Sequence, residues 1–174
     1  MGSYRVFTTV VAALGQPKGD IMNILISACL LGLYCRYDGT IKQYENIKEL
    51  LACPEIHIIP ICPEQAGGLA TPRAAAERQG KRVITRTGVD VTTQYEQGAA
   101  TACELAKKFQ CSYAVLKEKS PSCGSNRIYD GTFTRTLIRG DGVTAAALKQ
   151  IGVTIIGESQ VLDFLKTIKR NEKR

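Results

Sequence analysis

Short apolar runs alternating with helix-length segments constrain this chain more than any other feature. From Asn23 onward "NILIS" (23–27), "HIIPI" (57–61), "YAVLK" (113–117) and "VTIIG" (153–157) recur, with helical spacing between them. An apolar run of this length reads as a strand covered on both faces, as in a parallel sheet. Strands that alternate with helices must cross over, and the helices then cover both faces of a mostly parallel sheet. The expected fold is therefore α/β, a Rossmann- or flavodoxin-like three-layer sandwich. In such sheets ligands sit beyond the carboxyl ends of the strands.

The connecting segments carry their own signals. Residues 44–52 read as a short helix, and Thr93 with Glu96 as a capping box opening a long helix through Phe109. "RVITRTGVDVT" (82–92) alternates about Thr87-Gly88 and reads as a small hairpin or an irregular excursion. "RIYDGTFTRTLI" (127–138) reads as a hairpin about Asp130-Gly131. Asp141 is the expected cap of a helix over 142–150, Gly152 ends it, and Ser159 opens a last helix.

At 174 residues the chain suits one domain that needs no staples. No apolar run approaches the roughly 20 residues of a membrane helix, so no membrane partner is expected. Residues 1–21 are expected to lie outside the domain, which leaves 22–174. Their apolar stretch lacks an A-x-A cleavage signature. Residues 18–22 read like a translated ribosome-binding tract followed by a start at Met22. Seven cysteines, an odd number without a convincing export signal, point to a reducing cytosol. The net charge of +7 suits an anionic ligand, although Lys169, Arg170, Lys173 and Arg174 supply four of the positive charges. No aromatic-interleaved basic stripe marks a nucleic-acid surface, and nothing in the pattern sets an oligomeric state.

The positions of the cysteines matter more than their number. Cys29 falls two residues past the first strand, Cys62 directly after the second, and Cys123 in "KEKSPSCGS" after the third. Neighbouring strands lie about 4.8 Å apart, so three thiols delivered to one sheet edge can share a centre of cluster size. Cys103 inside a helix, and Cys53 and Cys111 after helices, read as structural. Cys35, in the first loop, reads as a fourth ligand, a thiol behind the ligands, or packing, with packing preferred. His57 is expected to point into the strand interior. A structural zinc site closes with four ligands, so three thiolates with an open position favour a 4Fe–4S cluster over zinc. Beside Cys62, "CPEQAGG" places Glu64 in a loop expected to be irregular.

The segments "SACLLGLYCRYDG", "CPEQAGGLATPR", "LKEKSPSCGS", "IYDGTF" and "GDGVTAA" resemble the small bacterial family of thiouracil desulfidases (TudS) over about residues 23 to 157. The resemblance implies a Rossmann-like fold and a 4Fe–4S cluster held by three cysteines, one iron being left open to substrate. It also implies removal of sulfur from thiolated uracil compounds, with 4-thiouridine 5′-monophosphate (4-thio-UMP) favoured. Carried over by residue, the ligands are Cys29, Cys62 and Cys123, the catalytic acid Glu64 and the catalytic serine Ser120. Glu64 would activate a water, its pKa raised by apolar surroundings. Ser120 would orient the ring or relay a proton. Ser125, Asn126, Arg36 and Arg73 are the candidates for the substrate phosphate, with the helix start at "GDGVTAA" a further anion site. Two other functions stay open: desulfidation of a free thiobase or another thiolated metabolite, and a non-catalytic zinc or iron–sulfur module.

Overall fold

The structure is a computed structural model and describes residues 21–171. The expectation for residues 1–21 therefore falls outside the described residues, Ile21 excepted, as do Lys173 and Arg174. In chain order the strands are β1 (Met22–Ser27), β2 (Ile56–Ile61), β3 (Ala76–Gln79), β4 (Arg82–Thr85), β5 (Tyr113–Leu116), β6 (Arg127–Tyr129), β7 (Leu137–Arg139) and β8 (Thr154–Gly157). The helices are α1 (Glu45–Leu51), α2 (Pro63–Ala66), α3 (Thr92–Lys108), α4 (Val143–Gln150) and α5 (Val161–Asn171).

The four apolar runs form one parallel sheet in the order β2-β1-β5-β8. Alternating side chains sort to opposite faces. Ile24 and Ile26 of β1 pack with Val115 of β5 against α1 and α5, while Leu25, Ala114 and Leu116 pack against α3 and α4. Ile24, Leu25 and Ile26 are all fully buried, which is why β1 shows no polar alternation. Each such side chain contributes roughly 1.5–3 kcal/mol of burial. The result is the expected three-layer α/β sandwich. No helix of the described residues is long and apolar enough to cross a membrane.

β2 lies at the sheet edge, paired only with β1, and this accommodates Pro60, which cannot donate to a ladder. His57 departs from expectation. It is exposed, opposite Asn23 near the start of β1, far from the carboxyl edge.

Both small hairpins form: the first adds a strand that the sequence reading lacked, and the second lengthens its turn. Residues 82–85 pair with 76–79, and they also pair back across Thr87-Gly88 through the Ile84–Asp90 bridge and the bonds from Thr85 N to Val89 O, Gly88 N to Thr85 O and Val91 N to Val83 O. β6 and β7 do pair, but the connection spans residues 130–136 instead of turning tightly at Asp130-Gly131.

Both expected helix caps are displaced by tertiary bonds. Val91 N bonds Val83 O and Val83 N bonds the Thr92 hydroxyl, so the N-cap falls at Val91, two residues before Thr93, which is already helical. Asp90 accepts from Thr92 N at 2.9 Å in place of the capping box. At α4 the free amides of Val143 and Thr144 are taken by the Pro121 and Ser122 carbonyls, both at 2.9 Å. Asp141 is left to accept from Asn126 N and Lys149 Nζ, each at 2.7 Å. The last helix likewise begins at Val161, after a 3₁₀ turn over Glu158–Gln160.

Candidate active site

β1 sends the chain to β2 on one side, and β5 joins it on the other. The crevice beyond their carboxyl ends is the switch point at which open α/β sheets bind ligands. A cavity of about 370 Å³ lies there, and Cys29, Cys35, Cys62 and Cys123 all line it, with Glu64 and Ser120.

Each thiol reaches the cavity for a local reason. Cys29 sits in the 3₁₀ turn that ends β1 and packs partly against the α1/α5 side. Cys62 is the N-cap of α2, with Pro63 at the first helical position, where the missing N–H costs nothing. The loop expected to be irregular is thus one helical turn. Cys123 lies in a tight loop held by the Ser120 hydroxyl, which accepts from Ser122 N and Cys123 N, both at 3.1 Å. The α4 amides grip the same loop by its carbonyls, so the predicted anion site at "GDGVTAA" is already occupied by protein.

Two backbone contacts fix this frame. A Cβ on Gly98 of α3 would collide with the Pro63 carbonyl, and one on Gly142 would collide with the Ser122 carbonyl. Only glycine lets α2 and the Cys123 loop approach so closely.

The buried Cys35 thiol lies within hydrogen-bonding reach of Cys29 and Cys62. Its own pKa is driven far up, while those of its two partners fall, Cys62 to about 7, chiefly through the same bonds. Lys117 adds positive charge near Cys29. Burial pushes the Cys123 thiol up.

Glu64 is not in apolar surroundings. Its Oε2 accepts from Arg73 Nε at 2.7 Å, with Arg73 Nη2 at 2.6 Å, both side chains being largely buried. Arg73 also bonds the Cys35 carbonyl at 3.0 Å, tying the acid to the thiol loop. The buried Tyr95 of α3 stands beside Glu64, and burial, then the Glu64 charge, raises its pKa above the usual tyrosine range.

The phosphate candidates divide. Arg36 and Arg73 line the cavity, but each already faces a carboxylate, Arg36 that of Asp38 at 2.7 Å. Ser125 and Asn126 are not part of its wall, and Asn126 is engaged by Asp141 and Lys149. The cavity also takes in Tyr95, Lys117, Arg86, Phe133 and Arg135, to which the sequence reading gave no site role, although Lys117 and Phe133 lie within "LKEKSPSCGS" and "IYDGTF". Lys117, the first residue past β5, carried a positional signal, and Phe133 a motif signal; Tyr95, Arg86 and Arg135 come to the site only by folding.

The class is defined at this point: a parallel α/β sandwich with a soft, thiol-rich donor set and a carboxylate–arginine pair around one small-molecule cavity. The chain belongs to the 2-thiouracil desulfurase family, which it matches over residues 24–160. It is 43% identical over 152 residues to the uncharacterized protein YbbK of Bacillus subtilis (strain 168), covering 82% of this chain and 99% of that one. A solved structure described as the [4Fe-4S]-dependent thiouracil desulfidase TudS superposes with a TM-score of 0.78 at 41% identity, over 85% of this chain and 98% of that one.

Proposed function

We propose that this chain hydrolyses thiolated uracil compounds, with 4-thio-UMP and water giving UMP and hydrogen sulfide. The observation that carries this reading is the joint delivery of Cys29, Cys62, Cys123 and Glu64 to one cavity by three successive strands of the parallel sheet. A solved relative that is [4Fe-4S]-dependent and acts on thiouracil supports it.

The donor set fits such a cluster. Cys29, Cys62 and Cys123 all line one cavity, and soft thiolates are the usual ligands of iron–sulfur clusters. Cys29, Cys62 and Cys123 would hold the group, with the single S–H of Cys35 within reach of the first two sulfurs and able to donate to one of them. When bound, the cluster supplies a Lewis-acidic iron with affinity for the substrate's sulfur.

The rest is work for the chain's own residues. The Glu64 carboxylate takes a proton from water as the oxygen attacks the thiolated ring carbon. Arg73 holds that carboxylate in place from two nitrogens. That proton and then the one left on the added hydroxyl pass to the departing sulfur as the C–S bond breaks and the carbonyl forms, so that a thiocarbonyl and water become a carbonyl and hydrogen sulfide with no net redox change. Ser120 has its oxygen engaged by two amides, which leaves its O–H free to donate to the ring or to relay that proton. Arg36, at the cavity wall, can exchange Asp38 for a substrate phosphate.

The test is anaerobic purification with iron and sulfide counted per chain, followed by a sulfide-release assay on 4-thio-UMP and on free 4-thiouracil. About four irons per chain and faster release from the nucleotide are expected. A colourless zinc protein with full activity would overturn the cluster reading, and preference for the free base would overturn the substrate.

A further inference from the structure

We propose that the loop of residues 130–136 is a preformed recognition lip whose Phe133 stacks on the substrate's pyrimidine ring, with Glu77 as the positioning residue that holds it. This rests on the reading of the cavity as a site for thiolated uracil compounds.

The loop's backbone is the first observation. φ is positive at Gly131 (+90°), Phe133 (+59°) and Arg135 (+66°). Glycine tolerates this, but a bulky residue there is an outlier worth roughly 1–3 kcal/mol of strain. Strain of that size persists only where the surroundings enforce it.

Two sets of bonds do so. Glu77, buried on β3, accepts from the amides of Gly131 and Phe133, both at 3.0 Å. Along the loop a ladder of hydroxyls runs from Asp130 through Thr132 and Thr134 to Thr136, with spacings of 2.6, 2.7 and 2.9 Å. The threonines alternate with Phe133 and Arg135, and both of these line the cavity. The two threonine–threonine bonds therefore help to set Phe133 and Arg135 onto the cavity wall.

What the lip presents is suited to a flat, anionic ligand. The Arg86 guanidinium lies over the Phe133 ring, 5.4 Å from its centroid, and also lines the cavity. Neither Arg86 nor Arg135 has a carboxylate partner among the described residues, unlike Arg36 and Arg73. An aromatic ring flanked by uncommitted arginines accepts a nucleobase by stacking and its phosphate by charge.

Stacking on a ring that does not react is uniform binding, so its loss raises KM and leaves kcat in place. Base–aromatic stacking is worth roughly 1–3 kcal/mol, about 5- to 150-fold in affinity. The experiment uses the iron-loaded protein and two readouts: kcat and KM for 4-thio-UMP, and calorimetric binding of UMP, which has no sulfur to lose. Phe133→Ala is expected to raise KM and weaken UMP binding by about 5-fold or more, at unchanged iron content and with kcat within a few-fold. Phe133→Tyr should restore both. Glu77→Gln, which keeps shape and an acceptor but loses the charge, should shift KM in the same direction by less. Phe133→Ala with KM and UMP affinity within about two-fold of wild type overturns the lip, as does a wild type that does not bind UMP. A wild type that binds UMP through Phe133 yet releases no sulfide from 4-thio-UMP counts against the desulfidase and leaves the lip standing.

Discussion

Individual residues carry the chemistry, and single substitutions separate their roles. Cys29→Ser, Cys62→Ser and Cys123→Ser each remove a sulfur donor, so iron content and sulfide release should both collapse. Cys103→Ser, half-buried on α3 against the core and away from the cavity, should keep both. Cys35→Ser preserves a donor to Cys29 or Cys62 and should retain near wild-type iron; iron loss as deep as in Cys62→Ser would make Cys35 a ligand. Iron per chain after anaerobic purification reads all of these. Glu64→Gln tests a different step, because it keeps the shape and a weaker bond to Arg73 while removing the basic oxygen. General acid–base contributions are about 10²–10⁴-fold, so kcat should fall by that much with the iron site full. Near-normal turnover in that variant would pass the role to Ser120.

Secondary-structure elements place these residues, and here the close approach of α2 to α3 is decisive. Alanine replacing glycine inside an exposed helix ordinarily stabilises by up to about 1 kcal/mol. At Gly98 the sign should reverse, because the new Cβ would meet the Pro63 backbone, which no side-chain rotation relieves. Overpacking of this kind costs about 1–3 kcal/mol. Gly98→Ala should therefore lower the thermal midpoint by several degrees, and by moving α2 it should reduce iron loading at Cys62. Calorimetry with an iron assay checks both, and an unchanged or higher midpoint would show that α2 has room to move. Close approach of the same kind explains why α3 and α4 lack the caps that their sequences suggest. Thr93 and Asp141 have the right chemistry for capping, but β4 and the Cys123 loop reach the helix starts first.

At the scale of the whole molecule, the sheet turns three separate loops into one site. The parallel register aligns Ser27 with Ile61 and Ile26 with Val115, so the loops after these strands all emerge on one edge. For that reason Cys29, Cys62 and Cys123 could be brought together from the sequence alone: apolar runs of strand length locate strand ends, and a parallel sheet has only one carboxyl edge. The two covered faces were legible in the same way, since Ile24, Leu25 and Ile26 are apolar without alternation because both sides of β1 are buried. The Glu64–Arg73 pair, the place of Cys35 between two thiols, and the Phe133 lip were decided only by the tertiary structure. Each depends on where a loop returns in space, and that is set by contacts such as Gly98 against Pro63 and Glu77 against the Gly131 and Phe133 amides. Strand and helix periods repeat along the chain and can be read locally. A bond between side chains nine residues apart, or an amide held by a carboxylate 54 residues away, has no local period and exists only once the fold has closed.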